Sequence, residues 1–216
     1  MILFWRSTES DMHKKRKIVS FLVSGKGSNF KAVAEKIISG YIYADSGIVI
    51  CTAIDAPAVK KSEDLGIKYL VLKPENFNSK EEHETEMIKH LKLCNSDLLV
   101  AAGYMRILSP SFVNSFKNRI INIHPSLLPS FPGKHAQQQA LDYGVKISGC
   151  TTHFIDNGTD TGPIIMQSSV EINEYDDINT LSTKILIEEH KILIESVRLF
   201  CNDKLVIKDK RVIITV

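Results

Sequence analysis

Asn122 and His124 stand two residues apart in the run Ile120-Ile-Asn-Ile-His-Pro-Ser-Leu-Leu-Pro129. Residues two apart in a β-strand share a face and lie roughly 6.5 Å apart, so both side chains point the same way. The run is otherwise apolar, and Pro125 cannot donate to a sheet ladder, so the strand stops there. The pair therefore stands at or near the C-terminal edge of a parallel strand, where open α/β sheets bind their ligands. An Asn amide there can donate to a developing oxyanion. A His titrating near neutrality can donate or shuttle a proton. Together they suit chemistry at a carbonyl. A lone buried His is more often satisfied by a backbone carbonyl. The shared face, the apolar strand and the two prolines that fix the next loop favour the reactive reading.

Two more segments carry chemistry. Asp156-Asn-Gly-Thr-Asp-Thr-Gly162 joins two strand-like runs. Asp160 in it is either a turn residue or a carboxylate that approaches His124, raising its basicity and setting its tautomer. Gly25-Lys-Gly-Ser-Asn29 sits between a buried strand and a helix start. It is either a plain turn capped by Ser28 or Asn29, or a cradle in which glycine backbone and free helix amides hold an anion. It is neither G-x-G-x-x-G nor a Walker loop, so one phosphate suits it better than a dinucleotide or a nucleoside triphosphate.

These residues need a scaffold, and the hydrophobic pattern supplies one. Short β-prone runs at residues 18–23, 47–53, 68–72, 97–102 and 119–123 read as strands. Helical patterns at residues 30–38, 56–65 and 80–93 separate the first four. Strands alternating with such helices imply a Rossmann-like, mostly parallel sheet with helices on both faces. Further on, residues 134–143 read as a helix. Residues 148–156 and 163–172 read as an antiparallel C-terminal hairpin extension, residues 177–200 as one long helix, and 205–216 as two short β-prone runs. A flexible leader over residues 1–16 is expected to precede a single domain at 17–216.

Composition narrows the class. Of 216 residues, 44% are hydrophobic and 24% charged, with a net charge of +2, which fits a globular fold and disfavours an obligate nucleic-acid partner. No run is long and apolar enough to span a membrane. Four scattered cysteines form no C-x-x-C pair, which predicts neither a disulfide framework nor a metal centre and fits a cytoplasmic setting. No G-x-S-x-G elbow supports a Ser-His-Asp hydrolase.

Taken together, Gly25-Lys-Gly-Ser-Asn29, Ala102-Gly-Tyr-Met-Arg-Ile-Leu108, Asn122-Ile-His-Pro-Ser-Leu-Leu-Pro129 and Thr159-Asp-Thr-Gly-Pro163 resemble the glycinamide ribonucleotide formyltransferases in order and spacing. The resemblance implies the formyltransferase fold and transfer of the formyl group of 10-formyltetrahydrofolate to the amine of glycinamide ribonucleotide in purine biosynthesis. It implies that Asn122, His124 and Asp160 are catalytic, serving a tetrahedral intermediate. Gly27, Ser28, Asn29 and Glu189 would bind the phosphate and amine of the substrate. Lys80, Met105, Arg106, Ile107, Leu108, Asp156, Asn157, Gly158 and Thr159 would bind the folate co-substrate. No metal, nucleic acid or membrane partner is implied, and the protein is expected as a monomer or weak homodimer. This chain departs from the family pattern at Lys26, Thr161 and Cys51-Thr52. A formyltetrahydrofolate hydrolase shares the three catalytic types but normally carries an extra N-terminal domain. A methionyl-tRNA formyltransferase normally carries a C-terminal one. A non-catalytic folate- or nucleotide-binding module is the other alternative, disfavoured because all three catalytic types are present.

Overall fold

Lys17–Val23 forms strand β1, and Val19, Phe21, Leu22 and Val23 on it are fully buried. Side chains from both faces of the strand are shielded, as expected where helices cover a parallel sheet on both sides. The computed structural model describes residues 15–215, so the expected leader lies outside the described residues except for Lys15 and Arg16. From β1 the chain alternates through α1 (Ser28–Ile38), β2 (Ala44–Cys51), α2 (Pro57–Asp64), β3 (Tyr69–Val71), α3 (Lys80–Leu93) and β4 (Leu98–Ala101). Then come α4 (Pro110–Ser115), β5 (Ile120–His124), α5 (Ala136–Tyr143), β6 (Ile147–Phe154), β7 (Ile164–Glu171), α6 (Ile178–Cys201), β8 (Leu205–Lys208) and β9 (Arg211–Ile214).

The described strands make one nine-stranded sheet in the order β3-β2-β1-β4-β5-β6-β7-β9-β8. Pairing is parallel from β3 to β5. It turns antiparallel at β5–β6 and β6–β7, so the hairpin extension is present. The two C-terminal runs form a second antiparallel hairpin, whose β9 meets β7 in parallel at Ile164 and Arg211. Two elements were not anticipated from the pattern, α4 and a short 3-10 turn at Pro74–Asn76. Helix α4 has Ser109 as its side-chain cap and Pro110 in its first turn, a start signal that the hydrophobic period overlooks.

Helices cover both faces. One core cluster joins β1 and β4 to α1 and α6 through Phe30, Val33, Leu181, Ile185 and Leu193. The other joins the opposite face to α3 and α4 through Met87, Leu91, Phe112 and Phe116. Each such side chain contributes about 1.5–3 kcal/mol by burial, so the sheet is held rigid from both sides. Among the described residues no helix is long and apolar enough to cross a membrane.

Candidate active site

Strand β5 stands where the sheet changes direction, between parallel β4 and antiparallel β6. Its register sets Asn122 opposite His153 and His124 opposite Thr151, so all four share one face of the sheet. The loop after β6 brings back Asp160, whose φ of 55° is left-handed, a conformation Asp tolerates better than most residues. Its carboxylate bridges two imidazoles: Oδ2 lies 3.3 Å from His124 Nδ1, and Oδ1 lies 3.6 Å from His153 Nε2. Oδ2 also accepts the Gly133 amide at 2.8 Å. Burial opposes charge on this carboxyl, but His153, the Gly133 amide and His124 outweigh it. Asp160 is thus held below the ordinary carboxylate range.

His124 is 4% exposed, and its Nε2 lies 2.8 Å from the Phe131 carbonyl. A carbonyl only accepts, so Nε2–H donates there. With the Asp160 carboxylate 3.3 Å from Nδ1, both ring nitrogens face oxygen acceptors. Phe131 (φ 52°) and Gly133 (φ 81°) let the loop double back over the histidine. His153 is 2% exposed, with Nδ1 2.9 Å from the Phe154 carbonyl and Nε2 3.2 Å from Asn122 Nδ2. The site is therefore a chain of four side chains, Asn122–His153–Asp160–His124. Nothing in the sequence around His153 marks it, because its partner is set by β5–β6 register.

The glycine loop precedes α1, whose first turn exposes free amides beside Gly27 and Ser28. Gly27 has φ 66°, and a Cβ there would meet the Ala58 Cβ at 2.8 Å, so the starts of α1 and α2 abut at this residue. Lys61 of α2 donates to the Lys26 carbonyl at 2.7 Å. The Asn29 amide is turned inward rather than towards the loop mouth, and Nδ2 donates to Glu189 Oε2 at 2.8 Å. Its Oδ1 is buried and without a partner among the described residues. Burial pushes the Glu189 carboxyl above the ordinary glutamate range, against the pull of the Asn29 bond. Residues of two helices, α1 and α6, 160 positions apart, thus form one buried polar contact.

The expected folate residues form two groups. Met105 and Ile107 are 72% and 69% exposed, an unusual placement for large apolar side chains side by side with exposed Arg106. Leu108 differs from the expectation: it is buried in the α3–α4 core, which leaves only its backbone for a ligand. Lys80 lies 3.8 Å from Glu84, whose carboxylate accepts the Ser109 amide, so it borders the end of this segment. Asp156 organises the other group by accepting from Gly158 N and Thr161 Oγ1. Asn157, Gly158 and Thr159 are exposed on that turn. Among the described residues no group of three His, Cys, Asp or Glu side chains is arranged to hold a metal ion.

Residues 16–197 match the formyl transferase family. Phosphoribosylglycinamide formyltransferase of Bacillus subtilis is 37% identical over 175 residues, which are 81% of this chain and 90% of that protein. The trifunctional purine biosynthetic protein adenosine-3 of Drosophila pseudoobscura pseudoobscura is 42% identical over 185 residues, 85% of this chain. That stretch is only 14% of the trifunctional protein's length. The crystal structure of glycinamide ribonucleotide transformylase 1 from Symbiobacterium toebii superposes with a TM-score of 0.91 at 39% identity, covering 93% of this chain and 95% of that one.

Proposed function

The chain belongs to the formyl transferase family, and on that premise we propose that it transfers the formyl group of 10-formyltetrahydrofolate to the amine of glycinamide ribonucleotide, a step of purine biosynthesis. The observation that carries the reading is Asn122 and His124 on one face at the C-terminal end of β5, with Asp160 against His124. Residues 17–216 work in this reading as one cytoplasmic domain acting on two small molecules, as a monomer or weak homodimer.

The chemistry follows from where the donors sit. The amine attacks the formyl carbon, and the formyl oxygen gains negative charge. Asn122 Nδ2–H donates to that oxygen. His124 Nε2–H joins it by exchanging the Phe131 carbonyl for the oxyanion. A preorganised donor of this kind contributes roughly 10²–10³ in rate. Asp160, kept ionised, balances the charge on His124. As the adduct collapses, the carbon–nitrogen bond to the folate breaks, and the proton lost by the attacking amine ends on the departing nitrogen. Asp160 and His124 supply the relay for it. Gly27, Ser28 and the α1 amides hold the substrate phosphate, with Lys26 and Lys61 adding positive charge nearby. Asn29 and Glu189 face the amine or ribose, and Asn29 Oδ1 is the acceptor left open for that role. Met105, Ile107 and Arg106, with the Asp156–Thr159 turn, flank the folate, and Lys80 its tail.

The direct test incubates the protein with 10-formyltetrahydrofolate, with and without glycinamide ribonucleotide, and follows tetrahydrofolate release. Release that requires the amine supports the transferase. Equal release without it points to the hydrolase, and none in either case rejects both enzymes in favour of a binding module.

A further inference from the structure

His153 has a definite job in this site. Its Nδ1 lies 2.9 Å from the Phe154 carbonyl, and an acceptor-only partner places the hydrogen on Nδ1. The Nε2 of the neutral ring is then a lone pair. Asn122 Nδ2 lies 3.2 Å from it, within hydrogen-bonding range. Asp160 Oδ1 is farther, at 3.6 Å, beyond hydrogen-bonding range, so the Asn122 amide is the nearer partner of this lone pair. An amide nitrogen has two hydrogens. One is taken by His153, which leaves the second for a ligand. With the amide reversed, its oxygen would face the imidazole lone pair, and an acceptor would face the substrate oxygen.

We propose that His153 is a positioning residue: through its Nε2 it fixes the orientation of the Asn122 amide, so that the remaining Nδ2–H is presented to the formyl oxygen. This rests on the formyl-transfer reading. The cross-strand register that sets Asn122 opposite His153, and the burial of His153 to 2% exposure, hold the two groups in that relation without help from substrate.

Two substitutions separate this role from simple packing. His153→Asn keeps a donor for the Phe154 carbonyl and removes the acceptor at the Nε2 position. His153→Gln returns an acceptor oxygen there. The Asn variant is expected to lower kcat roughly tenfold, the bias that one hydrogen bond gives to an amide flip, with both KM values within about twofold. The Gln variant is expected within about threefold of the parent. In an Asn122→Ala background, His153→Asn is expected to remove no further activity. Equal losses in both backgrounds, or a Gln variant no better than Asn, overturn the proposal. The parent protein supplies a second measurement, independent of activity and of how the variants fold. At a pH of about 8.5, well above the ordinary imidazole range, ¹⁵N resonances of His153 should show a protonated Nδ1 and a bare Nε2 coupled to the Asn122 amide. A protonated Nε2 there rejects the proposal. A parent with no transfer activity instead rejects the functional reading, and the resonances still decide the role of His153.

Discussion

The Asn29 side-chain amide donates to Glu189 at 2.8 Å, tying the first turn of α1 to the middle of α6. Glu189 is 8% exposed, and burial raises its pKa above the ordinary value. A carboxyl whose folded pKa is raised binds its proton more tightly when folded, so its cost to stability appears as pH rises above the unfolded value near 4.5. Glu189→Gln removes that cost. The variant is expected to be more stable than the parent at pH 7–8 by about 1 kcal/mol, roughly 2–4 °C in Tm. The gap should close below about pH 4.5. The same variant should raise KM for the amine substrate. Thermal melts across pH 4–8 test the first half, and a gap that persists at low pH rejects it.

His124→Ala is expected to lower kcat by about 10²–10⁴, the usual contribution of a positioned proton donor. Its secondary structure by circular dichroism should match the parent. A near-normal rate in the folded variant assigns the chemistry to another histidine.

Asp160→Asn keeps the shape, tolerates the left-handed backbone at φ 55° and retains an acceptor for the Gly133 amide. It removes the charge between two imidazoles. Because the folded pKa of Asp160 is lowered, its charge stabilises the fold above the unfolded value near 3.8 and ceases to do so as pH falls through the lower folded value. The variant should therefore be less stable than the parent at pH 7, with the difference shrinking below about pH 4. It should also lose kcat. Urea titrations at pH 7 and pH 3 measure the change, and a constant difference at both rules out the charge as its cause.

Gly27→Ala places a Cβ 2.8 Å from the Ala58 Cβ at a backbone of φ 66°. The left-handed backbone alone costs about 1–2 kcal/mol, before the overlap is counted. The variant should be less stable by about 2 kcal/mol and should bind inorganic phosphate and phosphorylated substrate more weakly. Gly25→Ala is the control: a Cβ there meets nothing within 4 Å, so little change is expected. Similar losses in both would locate the effect outside the α1–α2 contact.

The parts of this site that were legible in the sequence are those with short-range causes. Asn122 and His124 share a face because a strand repeats every two residues, and Pro125 marks where that strand stops. The same logic found β1 to β7 and α6 to within a few residues. Helix α4 escaped because its six residues are too few to display a period, although Ser109-Pro110 announced it. What stayed hidden depends on tertiary register. Asn122 meets His153 only through the β5–β6 pairing, and Asp160 reaches His124 only because the hairpin loop folds back. The acceptor at His124 Nε2 is the backbone carbonyl of Phe131, which no residue type advertises. Glu189 faces Asn29 rather than solvent because α6 packs on α1, which its own 24-residue stretch cannot reveal.

Strand β5 is laddered to β4 on one edge and β6 on the other, and this divides the site into a fixed part and an adjustable one. The spacing of Asn122 and His124 is written into the sheet and cannot change without refolding it. Asp160 and the Phe131 carbonyl arrive on connecting segments that lengthen, shorten or exchange residues at little cost to the fold. Such a chain can retune its speed, its acidity and its choice of acceptor by altering segments 126–135 and 155–163 while inheriting the Asn122–His124 pair intact. The reversal of strand direction at β5–β6 is thus also the seam along which one scaffold can diverge into enzymes with different acceptors.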